Sequence, residues 1–459
     1  MELSMQNKRH IYHSNACIDY IENYIYEYKN NDQDSENNIY CLRMPVLVKS
    51  DKTIWEPANI YLQSLLIEKS ASQSTIESSA TNLLDFLRFL EHSNLDVLHL
   101  PDEQHERVTY RYRAFLLRSI RQNLIQPSTA NGRINKVLRF YDFCILNQLF
   151  DKESLRNTPY HTISRRISVP TIYGGSRQID IESSDLAIRT PQRNISLDAL
   201  VDGGQLHPLT DEEQCLVKIY LKDVASREFQ LMSYIALFTG ARIQTVCTLR
   251  VSSLLELKKK NINKFDDTYS LNIGSGTPID TKNGTKMVLK IPTWLLDELI
   301  SYSKSKRWKI RAKFSYYGEN IQNYLFLTSR GDSYYTSLKE IEDRRKTKSL
   351  MGFKPKCGLS VRTHVNQMIV KLNSDAVRVN HFRFHDLRAT FGLNIIKAMT
   401  NSGFNGQDAL MYLKERMGHR NILTTMKYLE YASFTESVVK TSIEFSEALN
   451  NSYPSKLVI

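Results

Sequence analysis

At 459 residues, the chain is too long for one compact core and suits about two or three domains. Its 61 Lys and Arg outnumber 49 Asp and Glu, and the net charge of +12 favours a polyanionic partner, most often nucleic acid. No run of about 18 apolar residues is present, which excludes a membrane-spanning helix, and the six cysteines lack metal-ligand spacing. The N-terminal residues lack the apolar core of a signal peptide, so we expect a cytoplasmic protein with reduced thiols.

The first 70 residues form an N-terminal extension that is rich in tyrosine and asparagine. An apolar stripe favours a helix over residues 16–28, and residues 39–49 suit a strand or an extended chain. The sequence assigns no role to this extension.

Residues 71–150 predict a helical module. Ser74 and Glu77 have the spacing of a capping box, which should begin the first helix. Two further helices are expected over about residues 103–122 and 129–146, because apolar residues recur there at helical spacing. Several cations punctuate the third helix, and either a solvated face or a DNA-contacting face explains them: Arg133, Lys136 and Arg139.

A long linker is predicted over residues 151–206, where proline and glycine are frequent and apolar periodicity is weak. The linker contains several cations, among them Arg165 and Arg166. A free linker and one that lies on DNA have the same composition, so both interpretations stay open.

A second domain is predicted to begin near residue 207. Thr210 and Glu213 have capping-box spacing, and an almost wholly apolar helix follows at 228–239. Alternating apolar residues on both sides of an Asp-Thr-Lys-Asn-Gly turn predict a hairpin. The expected strands are 269–274 and 286–292, and the expected later helices are 386–399, 407–417, 421–429 and 434–449.

Six polar side chains of this domain are suited to holding and protonating a phosphodiester without a metal ion. They are Arg242, Lys282, His385, Arg388, His419 and Tyr428. Each is weak evidence alone. A lysine at a hairpin tip is usually exposed and idle, with Lys286 as the neighbouring alternative, and Tyr431 lies on nearly the same helix face as Tyr428.

Taken together, the order and context of these residues resemble the tyrosine recombinase (phage integrase) family. The segments that carry the resemblance are Thr-Gly-Ala-Arg, His-Asp-Leu-Arg and Leu-Thr-Thr-Met-Lys-Tyr, with the last tyrosine nine residues after His419. The resemblance covers about 207–435, and the helical module is similar to the core-binding domain of that family. One departure is Thr245, where the family often has an acidic residue. The others are longer spacings from Arg242 to Lys282 and from Arg388 to His419.

The resemblance implies a mainly α fold with a small β-sheet (α+β), in which a core-binding (SAM-like) domain and a catalytic domain form a clamp on DNA. The implied division is extension 1–70, core-binding domain 71–150, basic linker 151–206, catalytic domain 207–435 and a C-terminal helix and tail 436–459, which packs onto a neighbouring protomer. Double-stranded DNA is the implied partner of a homotetramer that associates weakly without it, alongside accessory DNA-bending or directionality proteins.

The implied reaction is site-specific recombination of a mobile element through a 3′-phosphotyrosine on Tyr428, without cofactor, metal or ATP. By resemblance, the two arginines hold the phosphate, the two histidines assist proton transfer and Lys282 protonates the leaving oxygen. The expected location is cytoplasmic and associated with the nucleoid, in a prokaryotic or phage context. The alternatives are a type IB topoisomerase, a hairpin telomere resolvase and a non-catalytic DNA-binding protein of the same fold.

Overall fold

In the computed structural model, helices dominate and the strands form small two-stranded antiparallel sheets, as the predicted fold class requires. The chain divides into two units, Met1–Arg193 and Asn194–Ile459. The structure describes residues 12–26, 39–150, 155, 157–170, 176–189, 200–202, 204–263, 266–350, 352–374, 379–419 and 421–452. Within these ranges, no helix is both long enough and apolar enough to cross a bilayer.

In its described residues, the first unit combines a strand pair, four α-helices and a second strand pair. In chain order, its elements are β1 (Cys17–Tyr26), β2 (Ile39–Val48), α1 (Glu56–Ile67), α2 (Gln73–Ser93), α3 (Val108–Arg121), α4 (Pro127–Leu146), β3 (Thr162–Pro170) and β4 (Ser176–Ser184). The register of β1 and β2 runs from Cys17 opposite Val48 to Tyr26 opposite Ile39.

Two local predictions for this unit are wrong. Residues 17–26 form a strand and not a helix, because β2 pairs with them along their length and tertiary pairing overrides the helical spacing of their apolar residues. Helix α2 begins at Gln73 with Ser72 as its N-cap, so Ser74 lies inside the helix and does not cap it.

One hydrophobic core joins the N-terminal extension to the helical module. Leu47 and Trp55 pack in the same cluster as Phe86 and Tyr141, and Leu186 also belongs to it. The boundary predicted at 70/71 therefore falls inside a single core, and the predicted linker contains both a strand pair and residues of that core.

The second unit surrounds a larger core. Its elements are β5 (Leu200–Val201), β6 (Gln205–Leu206), α5 (Asp211–Asp223), α6 (Arg227–Thr239), α7 (Ile243–Thr248), α8 (Val251–Lys258), β7 (Thr268–Ile273), β8 (Met287–Pro292), α9 (Thr293–Lys304), α10 (Lys306–Lys313), α11 (Leu338–Lys346), α12 (Leu359–Ser374), α13 (Phe384–Asn401), α14 (Gly406–Met417) and α15 (Ile422–Ser452).

Several predictions for this unit are confirmed and one is wrong. Thr210 and Glu213 form the expected capping box at the start of α5, and β7 pairs with β8 as the predicted hairpin. The two C-terminal helices expected at 421–429 and 434–449 are a single helix, α15. No glycine or proline lies between the two predicted segments, so nothing in the backbone ends the first one.

Candidate active site

Arg242 lies at the junction between two helices. Helix α6 ends at Gly240, whose φ of 70° is left-handed, and Arg242 is the extended N-cap of α7. A Cβ atom on Gly240 would lie 2.6 Å from Cδ1 of Phe391, so both the backbone angle and the packing require glycine here. This sharp turn places the half-buried Arg242 beside the residues described below.

Arg388 is buried on α13, with 1% of its surface exposed. Its guanidinium donates to the carbonyl of Gly240 at 2.5 Å and to that of Met417 at 2.8 Å. These carbonyls end helices α6 and α14, where the helix dipole favours a cation. The remaining donor, Nε, lies 3.6 Å from Oδ2 of Asp202 and has no hydrogen-bond partner among the described residues.

His419 follows the end of α14 and is buried. Its Nε2 lies 3.1 Å from Oδ2 of Asp202, and its Nδ1 lies 3.0 Å from the hydroxyl of the buried Thr425. An ionised carboxylate only accepts, so Nε2 carries the proton that it donates to Asp202. In the neutral ring Nδ1 then accepts from Thr425, which fixes the orientation of the imidazole.

Tyr428 lies on α15 with none of its surface exposed. Its hydroxyl donates to Oδ2 of Asp202 at 3.1 Å, and its ring centroid is 5.9 Å from that of His419. The ring packs directly over Gly392, where a Cβ atom would lie 2.4 Å from Cε1 of the tyrosine. Gly392 therefore creates the space in which Tyr428 is held.

Asp202 is the residue that sequence reasoning missed. It lies between β5 and β6, in the turn of a short hairpin that falls within the predicted linker. The available signal was the Asp-Gly-Gly sequence between Leu-Val and Gln-Leu, since Asp-Gly is a strong hairpin marker. The same argument does not reveal that the turn enters the site, because that depends on the packing of β5 against α15.

A single carboxylate oxygen of Asp202, Oδ2, accepts hydrogen bonds from His419 and Tyr428 and faces Nε of Arg388. Although burial opposes ionisation, the hydrogen bond from His419 and the charges of Arg388, His419 and Arg242 hold the pKa of Asp202 well below its usual range. Burial and the neighbouring Asp202 raise the pKa of Tyr428 well above its ordinary value. The site therefore contains a carboxylate anion and a neutral phenol.

The other basic groups shift one another's pKa values. Burial, followed by the charge of Arg388, lowers the pKa of His385 to about 4, so this imidazole is neutral near pH 7. The charges of Arg242 and Lys282 act in the same direction. Burial and the proximity of Arg242 lower the pKa of Arg388 to about 10, which leaves it charged.

Lys282 is exposed in the turn between β7 and β8. This turn is attached to α7 through the backbone of Asp280: the hydroxyl of Thr245 donates to the Asp280 carbonyl, and the Asp280 amide donates to Thr248, each at 3.0 Å. The threonine that replaces an expected acidic residue thus links the element behind Arg242 to the turn of Lys282. The charge of Lys282 contributes to the lowered pKa of His385.

Tyr431 differs from Tyr428 in its surroundings. It is partly buried and packs against the apolar cluster that contains Met417, whereas Tyr428 is fully buried and donates to Asp202.

The predicted DNA-contacting residues belong to the first unit. Arg133 forms an ion pair with Asp85 at 2.8 Å, Lys136 donates to Ser79 at 3.0 Å and Arg139 is exposed. On the second strand pair, Arg166 is exposed and pairs with Asp180, and the side chain of Arg165 lies outside the described residues. In the described ranges, no group of three or more His, Cys, Asp or Glu side chains could hold a metal ion.

The fold and the site define a mainly helical domain in which two arginines, two histidines and a buried tyrosine surround one anion. Residues 210–433 match the model of the phage integrase family. This part of the chain is a domain of that family, whose members are the tyrosine recombinases, enzymes that transfer DNA strands.

Solved structures of recombinases are similar to the chain at low identity. XerH recombinase bound to difH in a pre-cleavage complex shares 15% identity, with 81% of each chain covered and a TM-score of 0.44. Tn1549 integrase in complex with circular intermediate DNA shares 14%, covering 81% of this chain and 94% of that one, with a TM-score of 0.45. A lambda integrase dimer bound to a core site shares 14% identity, covering 81% of this chain and 93% of that one, with a TM-score of 0.42. These similarities are remote, and the assignment rests on the family model. No curated protein matches the chain significantly.

Proposed function

We propose that the chain is a site-specific DNA recombinase that cleaves and rejoins double-stranded DNA of a mobile element through Tyr428. One observation carries the assignment of the site: the hydroxyl of Tyr428, Nε2 of His419 and Nε of Arg388 all face one anionic oxygen, at 3.1, 3.1 and 3.6 Å. A nonbridging oxygen of a phosphodiester has the charge and the acceptor capacity to take the place of that carboxylate oxygen.

The proposed step is a transesterification. The Tyr428 oxygen forms a bond to phosphorus, the bond from phosphorus to the 5′ oxygen breaks, and a 3′-phosphotyrosine and a free 5′-hydroxyl result. Arg242 and Arg388 hold the nonbridging oxygens and stabilise the charge of the transition state. Religation reverses the step, so the energy of the phosphodiester is retained in the protein–DNA bond.

Two groups account for the protons. His385 is neutral near pH 7, because its pKa is about 4, so it has a free nitrogen to accept the phenol proton of Tyr428. Lys282 is an ammonium group on an exposed turn, and it gives a proton to the departing 5′ oxygen. His419 donates to the phosphate through Nε2, the nitrogen that donates to Asp202 in this structure.

The proposed assembly is a tetramer on two DNA duplexes, weakly associated in the absence of DNA. The helical module contacts DNA through Arg133, Lys136 and Arg139, and strand β3 contacts it through Arg165 and Arg166. The chain acts in a nucleoid with accessory bending or directionality proteins. The part of α15 beyond the integrase domain, from residue 436, packs on a neighbouring protomer. Because α15 is continuous, this contact would act on the helix that carries Tyr428.

The test is a search for a covalent adduct. A supercoiled plasmid with the DNA that flanks the gene is incubated in EDTA with the wild-type chain, Tyr428→Phe or Tyr431→Phe. We expect a denaturant-resistant adduct with the wild type and Tyr431→Phe, with the linked peptide containing residue 428, and none with Tyr428→Phe.

The products distinguish the reaction classes. Recombined plasmids support a recombinase, relaxed circles alone point to a topoisomerase, and hairpin ends point to a resolvase. An adduct on Tyr431 would contradict the assigned nucleophile.

A further inference from the structure

The carboxylate of Asp202 fills the centre of the site that the proposed function assigns to a phosphate. Its Oδ2 atom accepts from both Tyr428 and His419 and faces Arg388. Asp202 is itself 4% exposed. A DNA phosphate and this carboxylate cannot occupy the same position, because both need the same donors and their negative charges repel.

The fit of the carboxylate is incomplete. Nε of Arg388 is buried and 3.6 Å from Oδ2, beyond hydrogen-bond distance, and it has no other partner among the described residues. A buried donor without a partner costs free energy, so Asp202 leaves one donor of the site unsatisfied. A nonbridging phosphate oxygen within hydrogen-bond distance of Nε would satisfy it.

The two strands beside Asp202 are short and have apolar contacts of their own. Strands β5 and β6 contain two residues each, and their buried anchors, Leu200 and Leu206, lie on either side of the turn. Both anchors pack in the apolar cluster that contains the Tyr428 ring. The attachment of these strands beside the nucleophile therefore rests on apolar contacts and not on the hydrogen bonds of the Asp202 carboxylate.

We propose that Asp202 is an autoinhibitory carboxylate, which occupies the scissile-phosphate position, keeps Tyr428 engaged and leaves when DNA enters. The proposal rests on the proposed function of the site. A carboxylate that assisted the reaction would need to remain beside Tyr428 while phosphate binds, whereas this oxygen holds the donors that the phosphate requires.

The test compares anion binding and cleavage in four full-length proteins: wild type, Asp202→Asn, Asp202→Ala and Glu212→Ala. Glu212 is an exposed acidic residue on α5 and controls for the change in net charge. Inorganic phosphate affinity is measured by titration calorimetry without DNA, and the rate of the Tyr428 adduct is measured on the plasmid described above. Asp202→Asn preserves the shape of the side chain in case the alanine variant does not fold.

We expect both Asp202 variants to bind phosphate at least tenfold more tightly than the wild type, and to form the adduct at least tenfold faster. Glu212→Ala should match the wild type in both measurements. Phosphate affinity that stays at the wild-type level in Asp202→Asn would overturn the proposal, and so would slower adduct formation, which would make Asp202 an assisting group. If no protein forms an adduct, the proposed function fails for that DNA, while phosphate affinity still decides the role of Asp202.

Discussion

Arg388 has two separate tasks in this domain. Its two terminal nitrogens bind the carbonyl ends of α6 and α14, and only Nε faces the anion position. Arg242 differs, because it is half-buried at a helix start and its charge acts on Asp202 and Arg388. A loss of activity in an Arg388 variant therefore has two explanations, and a measurement of stability must separate them.

Replacing Arg388 by alanine should destabilise the fold much more than replacing Arg242. Arg388→Ala leaves two buried carbonyls without a donor, and the expected loss in the free energy of unfolding is about 3 kcal/mol. Arg242→Ala should cost less than about 1 kcal/mol, because a partly exposed side chain is removed. Urea unfolding of both variants measures the difference. Equal losses would contradict the structural role of Arg388.

The low pKa of His385 predicts a dependence of stability on pH. The unfolded imidazole has a pKa of about 6.5, and the folded one has a pKa of about 4. Between these values the unfolded chain binds more protons, so the free energy of unfolding falls as the pH is lowered from 6.5 towards 4.

His385→Gln should reduce this dependence, whereas His381→Gln, at an exposed position of the same segment, should leave it unchanged. Urea unfolding at pH 7, 6 and 5 gives the slopes. A His385→Gln slope equal to that of the wild type would show that other groups cause the dependence.

At the scale of elements, the sequence predicted what local patterns determine. The Thr210 capping box, the β7–β8 hairpin and the apolar helix before Arg242 each depend on a few neighbouring residues, and each is present. Residues 17–26 were misassigned because their structure depends on a partner strand, and Asp202 was missed because its position depends on contacts more than 200 residues away along the chain. The grouping of the catalytic candidates came from family resemblance, since no local pattern joins Arg242 to Tyr428.

The packing of α13 on α15 gives a matched pair of glycine substitutions. Gly392→Ala places a methyl group 2.4 Å from the Tyr428 ring, and we expect a net loss of about 1–3 kcal/mol from overpacking. In Gly132→Ala, on α4, the methyl group meets no atom within 4 Å, and the better helix propensity should stabilise the chain by about 0.5–1 kcal/mol. Thermal unfolding should move in opposite directions for the two variants. A stabilising Gly392→Ala would mean that the Tyr428 ring moves freely.

At the scale of the whole molecule, the charge of +12 predicts that binding to DNA depends steeply on salt. Arg139 is exposed on α4, whereas Arg133 on the same helix is paired with Asp85. If Arg139 contacts a phosphate, Arg139→Ala should reduce the slope of log affinity against log salt by about 0.9.

Fluorescence anisotropy with a DNA duplex at several salt concentrations measures these slopes. Lys69→Ala removes an exposed cation from another part of the same unit and serves as the control. Equal slopes for Arg139→Ala, Lys69→Ala and the wild type would remove Arg139 from the DNA-contacting set.

The attachment of Arg388 to two helix ends also affects how relatives of this domain should be judged. A descendant that had lost all chemistry would still be stabilised by this arginine, so its presence says little about whether such a protein is active. Lys282 is exposed on a turn, and the fold would survive its loss. If Lys282 has the proposed role in proton transfer, the exposed lysine is thus a better indicator of retained catalysis than the buried arginine at the centre of the site.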